Sequence, residues 1–568
     1  MNGTTDHRTL LAIRAASLVL VGLLILLLRH DGSFDLQYHL FFAKHYSAHW
    51  FAAWEPKWYG GFCIYTYPPL AHQLLALVGS VVGLDVAGRL LSVTAAVALV
   101  GALVNLGDAF GGPDGRHGAS LLVLAWPGPF VFGLVWGQVP AMLSMGFAVL
   151  ATARLITYLR LGGTRDAILW ALLAGCCAGS HHQTAFVLLP LLVLVAVAST
   201  VGRAASPCLA RRVVIAGVAA LLASLATVGP HLWWLATQNL PQAPIPHPTR
   251  ENFFADPFVA RLLVTCVWGP LLLLVPFALW HGLCRREMAP LAIAIGLCGL
   301  LSLGTMTPLP SVLFRGWSQW LTYERFGLWA SGLTVVLAGC WIRRVGFGPS
   351  LALAALASAT TIGIVLSLVV PGRVRFADDK TVDVMRSFLD TGDHSEWGYV
   401  TLGVGENRLS RLSWVSSANT VDGFYFTARR DAVLRRSGVG TIDSALDTPG
   451  GKAVLDYILG DHVRLGVRWI LSMDPRADAI LGDRRWAVVA SLPASTSVAR
   501  LSEHQPIQVW EGPADEPVPR WTDVAMKPRP VPRGFAVLWG TASVLEFAAV
   551  LVLMACWRGT RAGCQSSG

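Results

Sequence analysis

The sequence predicts an all-α polytopic membrane bundle of about twelve transmembrane helices, with a small α/β extracytoplasmic domain near the C-terminus. Two observations lead to this fold class. Of the 568 residues 54% are apolar and only 14% are charged, whereas soluble proteins carry about 25% charged residues. The only long polar stretch is 372–533, and apolar runs long enough to cross a membrane lie on both sides of it.

Most of the predicted spans are apolar runs close to the roughly 20 residues that cross a hydrocarbon core, and the run 167–180 is the shortest. These runs are 10–28, 86–106, 119–135, 139–159, 167–180, 184–201, 213–236, 259–281, 289–306, 324–341, 350–371 and 534–557.

The run 69–83 is short and contains His72 and Gln73, and the distribution of charge favours a helix lying on the outer surface. When this run is not counted as a span, the inner loops hold 13 Lys and Arg, and the outer loops before residue 372 hold five. This asymmetry follows the positive-inside rule and predicts that both termini are cytoplasmic.

The topology divides the chain into three parts. Residues 1–371 form the transmembrane module, whose first outer loop, 29–85, is rich in aromatic residues. Residues 372–533 form the extracytoplasmic α/β domain, and residues 534–568 form the last transmembrane helix and a cytoplasmic tail. Within the domain the strand-like runs are 397–404, 467–473, 486–492 and 507–511, and the helix-like runs are 380–390 and 451–460.

Several function classes are excluded by the residues themselves. The sequence has no dinucleotide-binding glycine motif, no P-loop and no HExxH motif. None of its ten cysteines lies in 373–533 and no CxxC pair exists, which argues against a disulfide framework or a structural zinc site. The net charge of +10 comes from Arg in short loops, so it orients the chain in the membrane and does not indicate a nucleic-acid partner. No cofactor is predicted, and the sequence leaves open whether a divalent metal takes part.

One candidate for acid–base chemistry is Asp35, which follows the first predicted span. His39 is four residues further on, so the two side chains share one face of a helix. A carboxylate at the outer membrane surface can act as a general base. Asp31 is an alternative base, and a solvated loop acid is the structural alternative for Asp35.

Three arginines lie at the outer ends of predicted spans: Arg89, Arg261 and Arg325. Positive charge on the outer side opposes the orientation signal, so these residues need another explanation. Guanidinium groups bind phosphate through paired hydrogen bonds and stay charged, which predicts a site for the phosphate of a lipid carrier. The alternatives are contact with outer headgroups and, for Arg325, pairing with Glu324.

Two further groups could bind substrate. His181, His182 and Gln183 close the hairpin between the fifth and sixth predicted spans on the outer side, where two imidazoles could bind a phosphate or a metal. The alternative is a plain polar turn. Trp58 and its aromatic neighbours in the first outer loop could stack on sugar rings or form an interfacial belt.

Several of these residues belong to motifs that resemble a bacterial family of membrane proteins known as "6-pyruvoyl-tetrahydropterin synthase related". The first outer loop contributes Asp35-x-x-Tyr38-His39, Pro56-x-Trp58 with Gly60-Gly61, and Tyr67-Pro68-Pro69-Leu70. Later motifs are Ser180-His181-His182-Gln183-Thr184, Glu324-Arg325-Phe326 and Thr420-Val421-Asp422-Gly423-Phe424-Tyr425. Members of this family look like C-type (GT-C) glycosyltransferases, which use polyprenyl-phosphate-linked sugars.

The resemblance implies a multi-pass enzyme of the bacterial cytoplasmic membrane that transfers a sugar, with inversion, from a polyprenyl-phosphate carrier to an acceptor glycan, lipid or protein at the outer face. By this resemblance Asp35 is the catalytic acid of the first outer loop, although Leu36 stands where the family usually has a second acid. The residues expected to bind substrate are His39, Trp58, Arg89, His181, His182, Gln183, Arg261 and Arg325.

Two other functions remain as alternatives. A lipid or polysaccharide transporter would carry ionisable residues deep inside its spans, and the centres of the predicted spans are nearly free of them. A non-catalytic membrane scaffold would use the outer domain to bind partners.

Overall fold

The structure of the protein is a computed structural model, and it is mostly helical. It describes residues 33, 35–123, 126–201, 208–238, 250, 260, 262–345, 380–424, 442–447, 450–493, 506–524 and 533–562. The predicted spans 10–28 and 350–371 lie outside the described residues.

Most helices of the transmembrane module follow the apolar runs of the sequence. They are α1 (Leu36–Ala48), α2 (Leu70–Val82), α3 (Leu84–Leu122), α4 (Val139–Leu161), α5 (Thr164–Ser180), α6 (Leu189–Val201), α7 (Leu209–Gln238), α8 (Val275–Leu283), α9 (Ala289–Leu301), α10 (Leu309–Phe314) and α11 (Glu324–Val345). Three π-helical segments, which are rare and often occur at functional sites, are Val131–Val135, Thr184–Leu188 and Leu262–Trp268.

Several of the described helices are suited to a membrane. Those long and apolar enough to cross one are Leu84–Leu122, Val139–Leu161, Thr184–Val201, Leu209–Trp233 and Glu324–Arg344. Shorter apolar helices include α2, which has 13 residues and would span about 20 Å of a core about 30 Å thick. The chain is therefore a multi-pass membrane protein, whereas the count of twelve spans and the surface position of α2 stay predictions.

Glycines decide how α3 bends and where it packs. Gly112 has φ +62° and ψ −152° and is followed by Pro113, so α3 is two helices joined at a kink. Further along, α3 crosses α11, and a Cβ on Gly118 would lie 2.0 Å from the carbonyl oxygen of Gly339. Only a pair of glycines allows the two backbones to come this close, as is usual where membrane helices cross.

The polar stretch folds as a small α/β domain, as predicted. Its helices are α12 (Thr381–Asp390), α13 (Glu406–Val415), α14 (Gly451–Gly460) and α15 (Pro475–Asp483), and the last helix of the chain, α16 (Arg533–Ala562), follows it. The outer loop contains the short strands β1 (Trp54–Glu55) and β2 (Phe62–Cys63); the domain contains β3 (Gly398–Leu402), β4 (Asn419–Thr420), β5 (Val467–Ser472), β6 (Ala487–Leu492) and β7 (Ile507–Glu511). The sheet order is β4-β3-β5-β7-β6, with β4, β3 and β5 parallel and β7 antiparallel to both of its neighbours.

Helices cover both faces of this sheet. Val400 and Ile470 pack on one side with α14 and α15, while Tyr399 and Leu471 pack on the other with α12 and α13. Because successive side chains of a strand point to opposite faces, a strand covered on both sides is continuously apolar. The strands β3 and β5 are accordingly mostly apolar, with Thr401, Arg468 and Ser472 as the exceptions.

The domain is docked on the first outer loop. The Lys57 ammonium group donates to the carbonyl oxygens of Ser416, Ser417 and Ala418 at 2.8, 2.6 and 3.2 Å, just beyond the C-terminal end of α13. A cation at this place interacts favourably with the negative end of the helix dipole. Trp414 of α13 also donates from Nε1 to Gln37 Oε1 of α1, at 3.2 Å. The loop that carries Asp35 is thus tied to the extramembrane domain.

We expect Lys57→Met to loosen this docking. Burial already lowers the pKa of Lys57 to about 8, so the ammonium group depends on the three carbonyl oxygens for its hydrogen bonds. Their loss should lower the free energy of unfolding by about 1–3 kcal/mol. The measurement is the melting temperature of the full chain, with proteolytic release of the domain as a second readout.

Lys44→Met is the matched control, because Lys44 is an exposed lysine on α1 in the same loop. Equal changes in the two variants would contradict a role for Lys57 in docking.

Candidate functional site

Asp35 lies at the start of α1 and is held by the turn between the π-helical segment Val131–Val135 and α4. The backbone N–H of Asp35 donates to the carbonyl oxygen of Trp136 at 2.9 Å. The carboxyl group of Asp35 also makes a hydrogen bond with the side chain of Gln138. Gly137, which lies between Trp136 and Gln138, has φ +64°, a conformation that favours glycine. The turn 136–138 therefore fixes both the backbone and the carboxyl group of Asp35.

Arg325, at the start of α11, reaches the same turn. Its Nε donates to Gln138 Oε1 at 3.2 Å, and its Nη1 donates to Gln183 Oε1 at 2.9 Å. Gln183 is itself fixed, because its Nε2 donates to the carbonyl oxygen of Thr322 at 3.1 Å. Hydrogen bonds thus connect Asp35, Gln138, Arg325 and Gln183 in one chain. The alternative in which Arg325 only pairs with Glu324 does not describe these contacts.

The electrostatic setting of Asp35 suits a general base. Burial of the carboxyl group raises the pKa of Asp35 to about 7, and the negative charge of Glu324 adds to this effect. The positive charge of Arg325 and the hydrogen bond with Gln138 oppose the rise. Near neutral pH a large fraction of Asp35 is therefore ionised, and its basicity is matched to the ambient pH.

His181 presents a hydrogen-bond donor with no partner. Its Nδ1 accepts from the backbone N–H of Thr184 at 3.3 Å, so the neutral ring carries its proton on Nε2. That Nε2 is buried and has no hydrogen-bond partner among the described residues. Nδ1 of His182 is also buried and has no hydrogen-bond partner among the described residues. Buried polar atoms are normally paired, so orphaned ones point to a ligand or water.

Tyr67 lies among four imidazoles. Its ring centroid is 5.0 Å from that of His72, 5.6 Å from His182, 5.8 Å from His39 and 6.3 Å from His181. His39 Nδ1 and His72 Nε2 are 3.0 Å apart, so one of these nitrogens donates to the other. The first outer loop and the 181–183 turn therefore meet at one place, although they are far apart in sequence.

The imidazoles of this cluster are neutral at physiological pH. Burial, and then the positive charge of Arg325, lowers the pKa of His182 to about 3. The pKa of His181 is lowered well below its ordinary value by burial, by Arg325 and by its histidine neighbours. Burial also lowers the pKa of His39, assisted by His72 and Arg325. Arg325 is consequently the cation of this group, and the histidines act as neutral donors or acceptors.

Three other residues were predicted from the sequence to bind substrate: Arg89, Trp58 and Arg261. Arg89 is half-buried on α3, next to Gly88, which packs against Leu36. Trp58 is fully buried, and its ring stacks on Phe41 with centroids 3.6 Å apart, so that face is not open to a sugar. Its predicted contact with substrate stays a prediction that this packing does not support. Arg261 lies outside the described residues.

Several residues at or near the site were not among those predicted from the sequence. Gln138 was visible only as a polar residue in a short loop, and His72 only as a polar interruption of an apolar run. Glu546 of α16 is fully buried, and neither carboxyl oxygen has a hydrogen-bond partner among the described residues. Glu546 is therefore an exception to the prediction that the centres of the spans are nearly free of ionisable residues.

No three His, Cys, Asp or Glu side chains of the described part of the chain form a group that could hold a metal ion.

We expect Gly137→Ala to displace Asp35. A Cβ at position 137 would lie 2.5 Å from the backbone nitrogen of Leu36, in addition to the cost of φ +64°. Gly450→Ala is the control, because Gly450 has φ +78° in the left-handed region but no atom within 4 Å of the added carbon. The melting temperature of the first variant should fall further, corresponding to about 1–3 kcal/mol of extra destabilisation. Equal shifts would show that the contact with Leu36 is unimportant.

The fold of the chain is similar to that of three solved proteins. The arabinofuranosyltransferase AftD from Mycobacteria superposes with a TM-score of 0.56 at 15% identity, over 90% of this chain and 40% of AftD. ArnT from Cupriavidus metallidurans, bound to undecaprenyl phosphate, superposes with a TM-score of 0.54 at 12% identity, over 88% of this chain and 97% of ArnT. The oligosaccharyltransferase of Archaeoglobus fulgidus gives 0.53 at 11% identity, over 81% and 69% of the two chains.

At these identities the likeness concerns the fold, and the chain spans less than half the length of AftD. The sequence matches no protein-family model and no curated protein. Membership of the pterin-synthase-related family and a bacterial origin therefore stay predictions.

Proposed function

We propose that the protein is a membrane glycosyltransferase that moves a sugar from a polyprenyl-phosphate carrier to an acceptor at the outer face of the cytoplasmic membrane. The observation that supports this most is the meeting of Asp35 and Arg325 at Gln138. The proposed base, Asp35, and the proposed phosphate-binding cation, Arg325, come from distant parts of the chain, and both bond to the side-chain amide of Gln138. The fold adds support, because ArnT, which shares it, has been solved with undecaprenyl phosphate.

In this reaction Asp35 removes the proton from an acceptor hydroxyl group. The acceptor oxygen attacks the anomeric carbon of the sugar, and the bond from that carbon to the phosphate oxygen breaks. The phosphate leaves with the electron pair, and the configuration at the anomeric carbon inverts. One base is sufficient, because phosphate is a good leaving group and needs no separate acid.

Arg325 would stabilise the charge that develops on the leaving phosphate. Its guanidinium group is held by Gln138 and Gln183, so it is oriented before substrate arrives. The partnerless Nε2–H of His181 is a second donor that an anionic oxygen could accept from. Arg89 and Arg261 remain candidates for a second positive charge at the phosphate.

The carrier can be tested by thermal unfolding of the full chain in nanodiscs. Undecaprenyl phosphate should raise the melting temperature, whereas undecaprenol, which lacks the phosphate, should not. A ligand at about 100 times its Kd stabilises by about 2.7 kcal/mol. Equal shifts with both lipids would contradict phosphate recognition. The transfer itself is measured as release of undecaprenyl phosphate from a panel of undecaprenyl-phosphate-linked monosaccharides.

Glu546 is the one observation that favours a transporter, since a buried acid in an apolar helix often marks a translocation path. A transporter would move the lipid-linked sugar across the bilayer intact. Transported donor without released undecaprenyl phosphate would therefore favour this second function over the transferase.

A further inference from the structure

A cleft of about 460 Å³ opens in the extramembrane domain, and the reaction proposed above uses none of its residues. It lies between the C-terminal end of α12 and the β5, β7 and β6 part of the sheet. Aromatic and charged side chains line it together, among them Phe388, Trp397, Trp469, Arg468 and Glu511. Clefts that combine apolar surface with a few fixed polar groups are typical ligand sites.

The aromatic rings of the cleft are held in place by backbone contacts. Trp397 donates from Nε1 to the carbonyl oxygen of Val518, and Trp469 donates to that of His394, both at 3.0 Å. The ring of Phe388 meets Trp469 edge to face, with centroids 5.4 Å apart. Both indole N–H groups are hydrogen-bonded to the backbone, so the two rings are fixed in orientation before a ligand binds to their apolar surface.

The charged pair of the cleft leaves one donor and one acceptor side by side. Arg468 donates from Nε and Nη2 to Glu511 Oε1 at 2.9 and 2.5 Å. Glu511 Oε2 and Arg468 Nη1 have no partner among the described residues. The guanidinium group is also fixed over Trp397, 4.1 Å from its ring centroid.

This arrangement matches hydroxyl groups better than ions. A hydroxyl group both donates and accepts, so it can bind Glu511 Oε2 and Arg468 Nη1 at once. An anion would meet the negative charges of Glu511 and of Asp393 at the rim, and a cation would meet Arg468. The C–H faces of a sugar ring suit the aromatic surface beside this pair. The chemistry therefore indicates a neutral carbohydrate.

The edge strand adds one more feature to the cleft. Val489 lies at a β-bulge of β6, between Val488, which pairs with Trp510, and Ala490, which pairs with Val509. Bulges at sheet edges commonly re-aim a side chain, and Val489 lines the cleft while remaining 47% exposed.

The cleft is connected to the loop that carries Asp35. Phe388 and Asp390 belong to the last turn of α12, and Asp390 Oδ1 accepts from the backbone N–H of Ser417 at 2.9 Å. The carbonyl oxygen of Ser417 in turn accepts from Lys57 of the outer loop at 2.6 Å. Hydrogen bonds through Asp390 and Ser417 thus link the helix that borders the cleft to the first outer loop.

We propose that this cleft is a carbohydrate-binding site that holds a neutral, hydroxyl-rich sugar unit of the acceptor. Its role as an acceptor site rests on the transferase function proposed above, but sugar binding itself does not. A glycan seated between Trp397 and Glu511 would keep the acceptor chain close to the outer loop between transfer events.

Saturation-transfer NMR of the full chain in nanodiscs tests the site. The neutral probes are methyl α-glucopyranoside, methyl α-mannopyranoside and methyl α-arabinofuranoside. The charged probe is methyl α-glucopyranosiduronate, a methyl glycoside with a free carboxylate. We expect saturation of the ring protons of at least one neutral probe and none of the charged one. Trp397→Ala and Arg468→Gln should remove the signal. Arg484→Gln should keep it, because Arg484 is a paired arginine outside the cleft, bonded to Asp456 at 3.2 Å.

Val489→Trp provides a variant that blocks the cleft without removing a packed side chain. Val488→Trp is its control, since Val488 is similarly exposed, at 50%, but does not line the cleft. Loss of signal only in the Val489 variant supports the site. Absence of saturation for all neutral probes in the unmodified protein, or equal signals in both valine variants, would overturn it. Binding needs no donor, so Asp35→Asn should leave it unchanged even if transfer is lost.

Discussion

Replacing Asp35 by Asn is expected to lower the rate of sugar transfer about 10²–10⁴-fold, the usual contribution of a positioned general base. The amide has nearly the same shape and can keep a hydrogen bond with Gln138, but it cannot take the proton of the acceptor hydroxyl group. Arg325 and the backbone contact to Trp136 would be unchanged. The measurement is initial transfer rate with the full chain in proteoliposomes, together with its melting temperature.

Asp31→Asn is the control for this prediction. Asp31 lies four residues before Asp35, carries the same charge, and was the alternative base in the sequence. We expect this variant to retain transfer. The reverse result, with transfer lost only in the Asp31 variant, would assign the base to Asp31.

The pH dependence of transfer gives an independent check on the same residue. Because the pKa of Asp35 is raised to about 7, the rate should rise about tenfold per pH unit below pH 7 and level off above it. The pKa of the His182 imidazole is lowered to about 3, so its titration should not add a second change of the transfer rate near pH 7. The rise should be absent from the residual activity of the Asp35→Asn variant.

Much of the fold could be predicted because its signals are local. The strand-like runs became β3, β5, β6 and β7 within about two residues, because each run is rich in β-branched and aromatic residues. The predicted helices 380–390 and 451–460 became α12 and α14, because their apolar residues recur at helical spacing. The strand β4 has two residues, so no pattern marks it, and α13 was missed because its apolar residues are spaced among polar ones.

The candidate site was predictable only in part, because it is assembled from distant segments. Charge at the wrong side of the membrane singled out Arg325, but nothing in the sequence indicated that Gln138 and Gln183 would hold it. The sequence likewise could not show that Trp58 is enclosed by Phe41, since exposed and buried aromatics look alike in a polar loop. Glu546 escaped notice because a hydropathy average over a span hides a single acid.

Charge removal at Arg325 is expected to have the second largest effect. Arg325→Gln should lower transfer about 10²–10³-fold, as losses of oriented electrostatic groups do. Arg325→Lys keeps the charge but loses the planar fork that Gln138 and Gln183 orient, so its rate should fall between those of the unmodified protein and the Gln variant.

Arg343→Gln is the matched control, because Arg343 lies on the same helix at its other end, 3.5 Å from Asp114. If phosphate is bound through Arg325, the Gln variant should also lose the thermal shift caused by undecaprenyl phosphate, whereas Arg343→Gln should keep it. Full transfer by Arg325→Gln would mean that the leaving phosphate is neutralised elsewhere, with Arg89 and Arg261 as the next residues to replace. Loss of transfer with the lipid shift intact would instead place Arg325 at the reacting centre, where it would stabilise charge that appears only as the phosphate leaves.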